Sequence, residues 1–214
     1  MVDSTCSILS FSWTQSRIQR HVFMEKVNLP EIDVVGNGPS CLLWSNNNRY
    51  TVACNIPPKH IQYNCLSIID NQPILWMKQH SWSPRVPVYC TRECKDTARN
   101  KNIAGDWFPV YQKQSRTNSG QHAAEHFAQN GTTTIHLWGM DSLWSEDLSS
   151  VQDDVIKRTK RPPLNRWWRP KWNEIFTNNP VNYIIHAPEG VQSPYEQANV
   201  QIRCHQQAHM ALDS

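Results

Sequence analysis

The sequence lacks any long apolar run, and this absence argues against a protein with membrane-spanning helices. No window approaches about eighteen consecutive apolar residues, so we expect no membrane-spanning helix. The first residues contain no cationic segment ahead of an apolar core, which argues against a secretory signal. The seven cysteines are odd in number and irregularly spaced, which does not fit a disulfide framework. A reducing compartment therefore fits better than an extracellular one.

The chain also lacks a large excess of charge of either sign. Its 214 residues carry a net charge of +3 and are 39% hydrophobic, which is enough apolar material for one good core. Seven positive side chains fall between residues 157 and 173, with no acid among them. Subtracting these seven leaves −4 for the rest of the chain. The protein is thus mildly acidic with one cationic segment, unlike a protein that coats nucleic acid over a broad face.

Short apolar runs alternate with helical patterns, which predicts a single Rossmann-like α/β domain with a mostly parallel sheet flanked by helices. We expect this domain at residues 24–190, after a poorly ordered arm at 1–23 and before a tail at 191–214. The predicted strands are 32–35, 50–54, 66–70, 86–90, 133–138 and 182–186. The predicted helices are 42–48, 119–130 with Ser119 as cap, 164–176 with a bend or delayed start at Pro170, and 195–212.

The run Gly36-Asn37-Gly38-Pro39-Ser40 follows the first predicted strand directly. Gly36 and Gly38 lack Cβ, so the backbone can take positive φ and a ligand can approach closely. Pro39 suits the first position of a helix, and a helix start offers N–H groups to an anion. The pattern favours a phosphate or nucleotide site, with an ordinary tight turn as the alternative.

Four motifs within residues 31–190 together resemble the bacterial sialyltransferases and their phage-borne relatives. The motifs are Gly36-Asn37-Gly38-Pro39-Ser40, Cys54-Asn55, Arg116-Thr117-Asn118-Ser119-Gly120 and the run from Ile135 to Gly139-Met140-Asp141. The resemblance implies a cytidine nucleotide sugar, of the CMP-sialic-acid kind, as donor substrate and a hydroxyl of a glycan or small molecule as acceptor. It requires no other cofactor and leaves magnesium open as an addition. It implies the cytoplasm of a bacterium or of a phage-infected cell.

The resemblance also implies roles for individual residues. Asn37 and Ser40 would contact phosphate and ribose, and Asn55 the sugar or phosphate. The turn at 187–190, with Pro188 and Glu189, would hold the base or ribose. Arg116, Ser119 and Gly120 would meet the donor's charged groups, because guanidinium and helix N–H groups suit phosphate and carboxylate. The candidate catalytic residues are Asp141, in an acidic or metal-facing role, and Arg116. Apart from the resemblance, the charges of a cationic lid at 142–180 are expected to neutralise the leaving group, and those named for this role are Arg158, Arg161 and Arg166.

The sequence departs from that family in the lid. Residues 142–180 contain no histidine and no tyrosine, although the family carries its histidine base and helping tyrosines there. Loss of such a base costs a factor on the order of 10² to 10⁴. The acids that stand nearby are Asp141, Glu146, Asp147 and Asp153, and nothing in the sequence selects one.

Three alternatives follow from this departure. Pterin pyrophosphokinase-like proteins share a similar glycine-turn skeleton, and ATP with magnesium would be their substrate. A phage protein that binds nucleotide without turnover is a second alternative. A solvated or RNA-contacting surface is an equal alternative to a lid for the cationic segment.

His122-Ala123-Ala124-Glu125-His126 matches a zinc-peptidase pattern, with two histidines one helical turn apart. No third ligand is signalled downstream, so surface histidines are favoured. The set of Cys90, Cys94, Cys204, His205 and His209 is too irregular to predict a metal site. Trp168 and Trp172 fall on the apolar stripe of their predicted helix and are assigned to the core, whereas Trp167 is the better ligand candidate.

Overall fold

The computed structural model describes residues 29–112, 114–146, 149–152 and 165–206. The strands are β1 (Glu31–Val35), β2 (Tyr50–Cys54), β3 (Cys65–Ile68), β4 (Val88–Thr91), β5 (Trp107–Tyr111), β6 (Thr134–Trp138), β7 (Asn182–Pro188) and β8 (Val200–His205). The α-helices are α1 (Asn71–Gln79), α2 (Arg92–Asn100), α3 (Ser119–Gln129) and α4 (Asn165–Asn178). Two short 3₁₀ helices span Pro39–Leu43 and Asp141–Leu143.

The eight strands form one sheet in the order β5-β4-β3-β2-β1-β6-β7-β8, and every pair is parallel. The chain first builds outward from β1 to β5 and then returns to the other side of β1 to add β6, β7 and β8. Strand order therefore reverses between β1 and β6, which makes their carboxyl ends a topological switch point. The predicted Rossmann-like α/β fold with helices flanking the sheet is confirmed.

Helices cover both faces of this sheet. On one face α3 and α4 pack onto the strands, and the buried apolar side chains of these two helices are Ala123, Ala124, Phe127, Trp172, Ile175 and Phe176. On the other face lie α1, with Ile74 and Met77, and α2, with Cys94 and Ala98. Burial from both sides explains why the inner strands read as nearly continuous apolar runs. Trp172 is fully buried, as predicted, whereas Trp167 is 37% exposed.

Two helices and one edge strand were absent from the sequence prediction because their apolar signals are weak. α2 buries only Cys94 and Ala98, and Thr91 Oγ1 caps it by accepting the Cys94 N–H at 3.3 Å. α1 likewise buries only Pro73, Ile74 and Met77. β5 lies at the edge of the sheet, where the interior Pro109 is tolerated because an edge strand can omit a ladder hydrogen bond.

Four other boundaries differ from prediction. The tail contains strand β8 where a helix was expected, and β8 is the other sheet edge. The first 3₁₀ helix covers Pro39–Leu43 rather than 42–48. The cap of α3 is Asn118 rather than Ser119, because Asn118 Oδ1 accepts the Gln121 N–H while Gln121 Oε1 accepts the Asn118 N–H, each at 3.0 Å. α4 runs through Pro170. The predicted arm lies outside the described residues.

Replacement of Leu137 by alanine tests the assignment of the core. Leu137 is fully buried in β6, so Leu137→Ala should destabilise the protein by about 2–5 kcal/mol through lost apolar burial and a residual cavity. Leu75→Ala is the matched control, because Leu75 in α1 is 49% exposed and should change stability by less than about 0.5 kcal/mol. Urea unfolding measures both, and equal effects would contradict the core assignment.

Candidate functional site

The turns after β1 and β6 lie side by side at the carboxyl edge of the sheet. The Gly36 N–H donates to the Trp138 carbonyl oxygen at 2.7 Å, and the Gly38 N–H donates to the Gly139 oxygen at 2.9 Å. These bonds continue the pairing of β1 and β6 beyond the strand ends. Backbone hydrogen bonds therefore hold the two turns together at the switch point.

Glycine is required in these turns by close contact with the neighbouring turn. A Cβ on Gly36 would lie 2.5 Å from the Gly139 oxygen, and one on Gly38 would lie 2.3 Å from Asp141 Oδ2. The prediction that Gly38 supplies a positive φ was wrong, because its φ is −67°. Gly139 is the glycine of this pair of turns that does take a left-handed conformation, with φ +65°. The space left by the missing side chains is filled by the protein itself.

Ser40 and Asp141 join the two turns through side chains. Ser40 Oγ donates to Asp141 Oδ2 at 2.7 Å and accepts the Gly139 N–H at 3.1 Å, while the Ser40 N–H donates to Asp141 Oδ2 at 3.1 Å. The N–H group that was expected to be free for an anion is thus occupied by a carboxylate. Burial raises the pKa of Asp141 above its ordinary value, and the bonds from Ser40 partly counter that rise.

A second polar group lies beyond the ends of β2 and β3. Asn55 takes a left-handed conformation with φ +58°, and its Oδ1 accepts the Ser119 hydroxyl at 2.9 Å. Ser67 Oγ donates to the Ser119 carbonyl oxygen at 2.8 Å, and the Tyr111 hydroxyl donates to Ser67 Oγ at 3.0 Å. These contacts fix the first turn of α3 against the end of β2.

Gly120 brings that first turn of α3 against the β6 turn. A Cβ on Gly120 would lie 2.4 Å from Met140 Cε, so a larger residue would displace Met140 or the helix. Met140 stands directly between Gly139 and Asp141. The ends of β1, β2 and β6 and the start of α3 therefore meet around one place, which we call the edge crevice.

Asn37, in the turn after β1, bonds to the residue that follows Asn55 and has one unpaired side-chain atom among the described residues. Asn37 Nδ2 donates to the Ile56 carbonyl oxygen at 3.2 Å. The backbone carbonyl oxygen of Asn37 accepts the Val151 N–H at 2.9 Å. Its Oδ1 is buried and has no hydrogen-bond partner among the described residues. Buried polar atoms in folded proteins are nearly always paired, and Asn37 Oδ1 is one of seven buried side-chain atoms without a partner among the described residues.

Arg116 and Trp167 form a pair on the surface of the protein. The Arg116 guanidinium carbon lies 4.5 Å from the centroid of the Trp167 ring, a cation–π contact. Arg116 is exposed and has φ +61° in the loop before α3. The residue predicted to recognise donor charge and the tryptophan predicted to contact ligand are thus neighbours.

The cationic segment is described only in part. Arg158 and Arg161 lie outside the described residues, as does the side chain of Arg166. Arg169 donates to the Ser142 and Ser145 carbonyl oxygens and to Glu146 Oε1, each at 3.0 Å. Lys171 pairs with Glu125 at 3.1 Å and Glu174 at 2.9 Å. Arg169 and Lys171 therefore hold α4 to its surroundings.

Of the acids weighed as substitute bases, Asp147 and Asp153 lie outside the described residues. Pro188 ends β7 beside β8, and the N–H of Glu189, in the turn that follows, donates to the His205 carbonyl oxygen at 3.0 Å. β7 also contacts the 3₁₀ helix Pro39–Leu43. This turn therefore lies at the same edge of the sheet as the edge crevice.

The zinc-peptidase pattern lies in α3, where its side chains have other partners. His122 Nε2 is hydrogen-bonded to Thr117 Oγ1 at 2.9 Å, and Glu125 pairs with Lys171. Burial lowers the pKa of His122 and of His126. Within the described residues, no group of three or more His, Cys, Asp or Glu side chains is arranged to hold a metal ion. The described cysteines are all free.

The sequence prediction missed a buried polar network on one face of β1. Asp33 is fully buried and accepts from Trp44 Nε1 at 3.1 Å and Asn47 Nδ2 at 2.9 Å. It also accepts from Arg49 Nε and Trp138 Nε1, each at 3.0 Å. The available signal was an aspartate within an apolar strand, because a buried carboxylate needs several donors. The network anchors Trp138 immediately before the β6 turn.

Removal of the Ser40 hydroxyl tests the link between the two turns. Ser40→Ala leaves Asp141 Oδ2 and the Gly139 N–H without that partner, so we expect a loss of roughly 1–3 kcal/mol of stability. Ser45→Ala, in the exposed loop that follows, is the control and should change stability by less than about 0.5 kcal/mol. Urea unfolding at pH 7 measures both variants.

The same variant should alter the dependence of stability on pH. Because the pKa of Asp141 is raised in the folded state, the folded protein binds more protons and stability falls as pH rises above the ordinary value of 3.8. Ser40→Ala removes bonds that lower this pKa, so the fall should become larger and extend to higher pH. Asp141→Asn should remove that component, and identical pH profiles for wild type and Ser40→Ala would contradict the assignment.

Comparisons with known proteins supply no relative for this site. No protein-family model, curated protein or solved structure matches the chain. Among the described residues, no helix has both the length and the apolar character needed to cross a bilayer. The family resemblance carried by the motifs therefore stays a prediction, and the function is argued from the edge crevice itself.

Proposed function

We propose that the protein is a nucleotide-binding transferase of the glycosyltransferase type, which takes a CMP-linked sugar as donor and a hydroxyl group as acceptor. The observation that carries the proposal is the gathering of Asn37, Asn55 and Ser119 beyond the carboxyl ends of β1 and β2. This place adjoins the switch point between β1 and β6. In open parallel sheets, such a crevice is where nucleotides bind.

The groups in the edge crevice suit the hydroxyls of a nucleoside. Within the part of the chain that the structure describes, the buried Asn37 Oδ1 is an acceptor without a partner, and a ribose hydroxyl is a donor of the required kind. The Asn55 amide and the Ser119 hydroxyl, now bonded to one another, can exchange that bond for contacts with a ligand. A ligand that donates a hydrogen bond to Asn37 Oδ1 removes the free-energy penalty of a buried unpaired atom. The site would therefore favour such a ligand over one that lacks the donor.

The charge around the crevice indicates how a nucleotide phosphate would lie. Asp141 already binds the Ser40 N–H, and its carboxylate would repel a phosphate placed there. We therefore assign the phosphate to the first turn of α3 and Arg116, where the helix dipole and a guanidinium favour an anion. The hydroxyls of the bound sugar are assigned to the part of the edge crevice that is next to Asp141. This arrangement replaces the phosphate contact predicted for Ser40.

Binding of CMP, measured by thermal shift, tests the proposal. CMP at about a hundred times its Kd should stabilise the folded protein by about 2.7 kcal/mol, seen as a rise in Tm. Asn37→Ala should weaken CMP binding roughly fivefold, by loss of one hydrogen bond of about 1 kcal/mol. Arg116→Ala should weaken it by roughly tenfold or more, because a charge-assisted bond contributes about 1.5–3 kcal/mol.

Arg99→Ala is the control for Arg116→Ala. Arg99 is an exposed arginine in the last turn of α2, which ends at the opposite edge of the sheet. The Arg99→Ala variant should bind CMP with the same affinity as the wild type. A Tm that rises with ATP and magnesium but not with CMP would instead favour the pyrophosphokinase-like alternative. Equal CMP affinity in wild type, Asn37→Ala and Arg116→Ala would contradict the site.

A further inference from the structure

Arg116 and Trp167 meet beside the start of α3, and we call their contact the Arg–Trp stack. The Arg116 guanidinium carbon lies over the Trp167 ring, 4.5 Å from the ring centroid. Arg116 belongs to the loop before α3, and Trp167 belongs to the first turn of α4. The arrangement proposed for the nucleotide gives the arginine a role and leaves the tryptophan without one.

The loop that carries Arg116 is closed by the hydroxyl of Thr117. Thr117 Oγ1 donates to the Gln114 carbonyl oxygen at 2.9 Å, so this bond joins the residues on either side of Arg116. The same oxygen lies 2.9 Å from His122 Nε2, and because its proton is already donated to the carbonyl, His122 supplies the hydrogen of the second bond. Arg116 itself has φ +61°, a left-handed conformation that residues with side chains seldom adopt. The two bonds of Thr117 hold the loop in this conformation against α3.

The buried amide of Gln121 joins the first turns of α3 and α4. Gln121 Oε1 accepts the Asn118 N–H at 3.0 Å, and Gln121 Nε2 donates to the Trp168 carbonyl oxygen at 2.7 Å. Gln121 is 1% exposed, so water does not compete for either bond. Asn118 is two residues from Arg116 along the chain, and Trp168 directly follows its partner in the stack. Gln121 therefore sets the separation at which the guanidinium and the ring meet.

α3 and α4 are joined a second time, further along both helices. Lys171 Nζ lies 3.1 Å from Glu125 Oε1, and the two side chains are mostly shielded from solvent. Trp172, the residue after Lys171, is fully buried in the core between α4 and the sheet. The backbone of α4 therefore has a fixed position, although the Trp167 side chain itself reaches the surface.

The Arg–Trp stack leaves the hydrogen-bonding edge of the guanidinium open. A guanidinium is planar and its N–H groups lie in that plane, so a ring that covers its face blocks none of its donors. The Arg116 side chain forms no hydrogen bond or ion pair with any other described residue. By contrast, Arg49, Arg92 and Arg169 each pair with a carboxylate. An oxyanion can therefore bind Arg116 in the plane of the guanidinium while Trp167 holds its face.

We propose that Trp167 is a positioning residue of the edge crevice, whose ring holds the Arg116 guanidinium with its N–H edge towards the phosphate of the bound nucleotide. The proposal rests on the proposed function, from which the phosphate position at the start of α3 is taken. The ligand group is an oxyanion that accepts two parallel N–H bonds, as a phosphate does. Trp167 thus acts through Arg116 and not as a platform for the base or the sugar.

The benefit of the stack comes from fixing the arginine before the ligand arrives. A long side chain loses rotamer freedom when it binds an anion, and this loss opposes binding. An arginine that is already held against a ring loses less, because most of its freedom is gone in the free protein. Removal of the ring should therefore weaken binding only while Arg116 is present to contact the phosphate.

Proton NMR of the Arg116 side chain in the full-length protein tests the stack without any nucleotide. Protons above the face of an aromatic ring resonate upfield, so the Arg116 Nε–H and Cδ protons should lie upfield of those of Arg99, an exposed arginine in α2. Trp167→Leu should abolish this displacement, and Trp167→Phe should retain part of it. Identical Arg116 resonances in the wild type and Trp167→Leu would overturn the stack.

CMP affinity in a double-mutant cycle tests the positioning role. Trp167→Leu should weaken CMP binding roughly two- to fivefold, the size of an exposed cation–π contact, and Trp167→Phe should recover most of the loss. In an Arg116→Ala background, Trp167→Leu should cause no further loss. Trp76→Leu is the control, because Trp76 is a half-buried tryptophan of α1 on the other face of the sheet, and it should leave CMP affinity unchanged.

One result of the cycle would overturn the proposal. If Trp167→Leu weakens CMP binding as much in the Arg116→Ala background as in the wild type, the ring contacts the nucleotide directly and does not act through the arginine.

Inorganic phosphate separates failure of the inference from failure of the proposed function. Phosphate titrated into the wild type should shift the Arg116 Nε–H signal saturably, and Trp167→Leu should weaken this binding by about the same factor as for CMP. If phosphate behaves so but CMP binds no tighter than phosphate, the proposed function fails and the role of Trp167 stands. If CMP binds and Trp167→Leu changes neither affinity, the inference alone is wrong. If neither ligand shifts the signal, both fail.

Discussion

The edge crevice depends on the contact between two turns that leave no room for a side chain. Gly36 and Gly38 approach Gly139 so closely that a Cβ would meet backbone or carboxylate oxygen at 2.3–2.5 Å. The Ser40–Asp141 bond then closes the same contact with side chains. Because β1 and β6 are also the strands at which the order of the sheet reverses, this contact fixes the base of the crevice. Every other polar group of the site is positioned relative to it.

The residues that made the glycine turn recognisable serve structure as much as binding. A free helix N–H was expected at Ser40, and the protein's own Asp141 occupies it. Near that contact, Asn37 Oδ1 is buried without a hydrogen-bond partner among the described residues, and Asn55 and Ser119 bond to each other at the start of α3. The proposed nucleotide therefore lies beside the glycine turn rather than on it, and the charge of Asp141 gives its orientation.

Prediction from sequence succeeded where apolar periodicity or turn chemistry is strong. The strand before Gly36, the strand before Asn55 and the helix that closes at Gly131 all followed from such patterns. Prediction failed for α2, whose two buried residues give too weak a signal, and for β8, whose edge position leaves half of its side chains exposed. Local propensity cannot identify elements that are stabilised mainly by their neighbours.

The sequence pointed to residues that lie at the carboxyl edge of the sheet, but not to the contacts between them. Sequence order alone cannot show that Ser40 would meet Asp141, since 101 positions separate them. The hydrogen bonds from Glu31 to His136, from His136 to His186 and from His186 to His205 were missed for the same reason, because these residues come from strands far apart in sequence and only the register brings them together. Polar residues within apolar strands, such as Asp33 and His136, were the available signal.

The central claim is that a cytidine nucleotide binds in the edge crevice, and backbone NMR during a CMP titration tests it most directly. The account predicts saturable shifts concentrated at Gly36 and Asn37, at Asn55, and through the loop and first turn of α3. Saturable shifts confined to the opposite edge of the sheet, or no shifts at any CMP concentration, would contradict it.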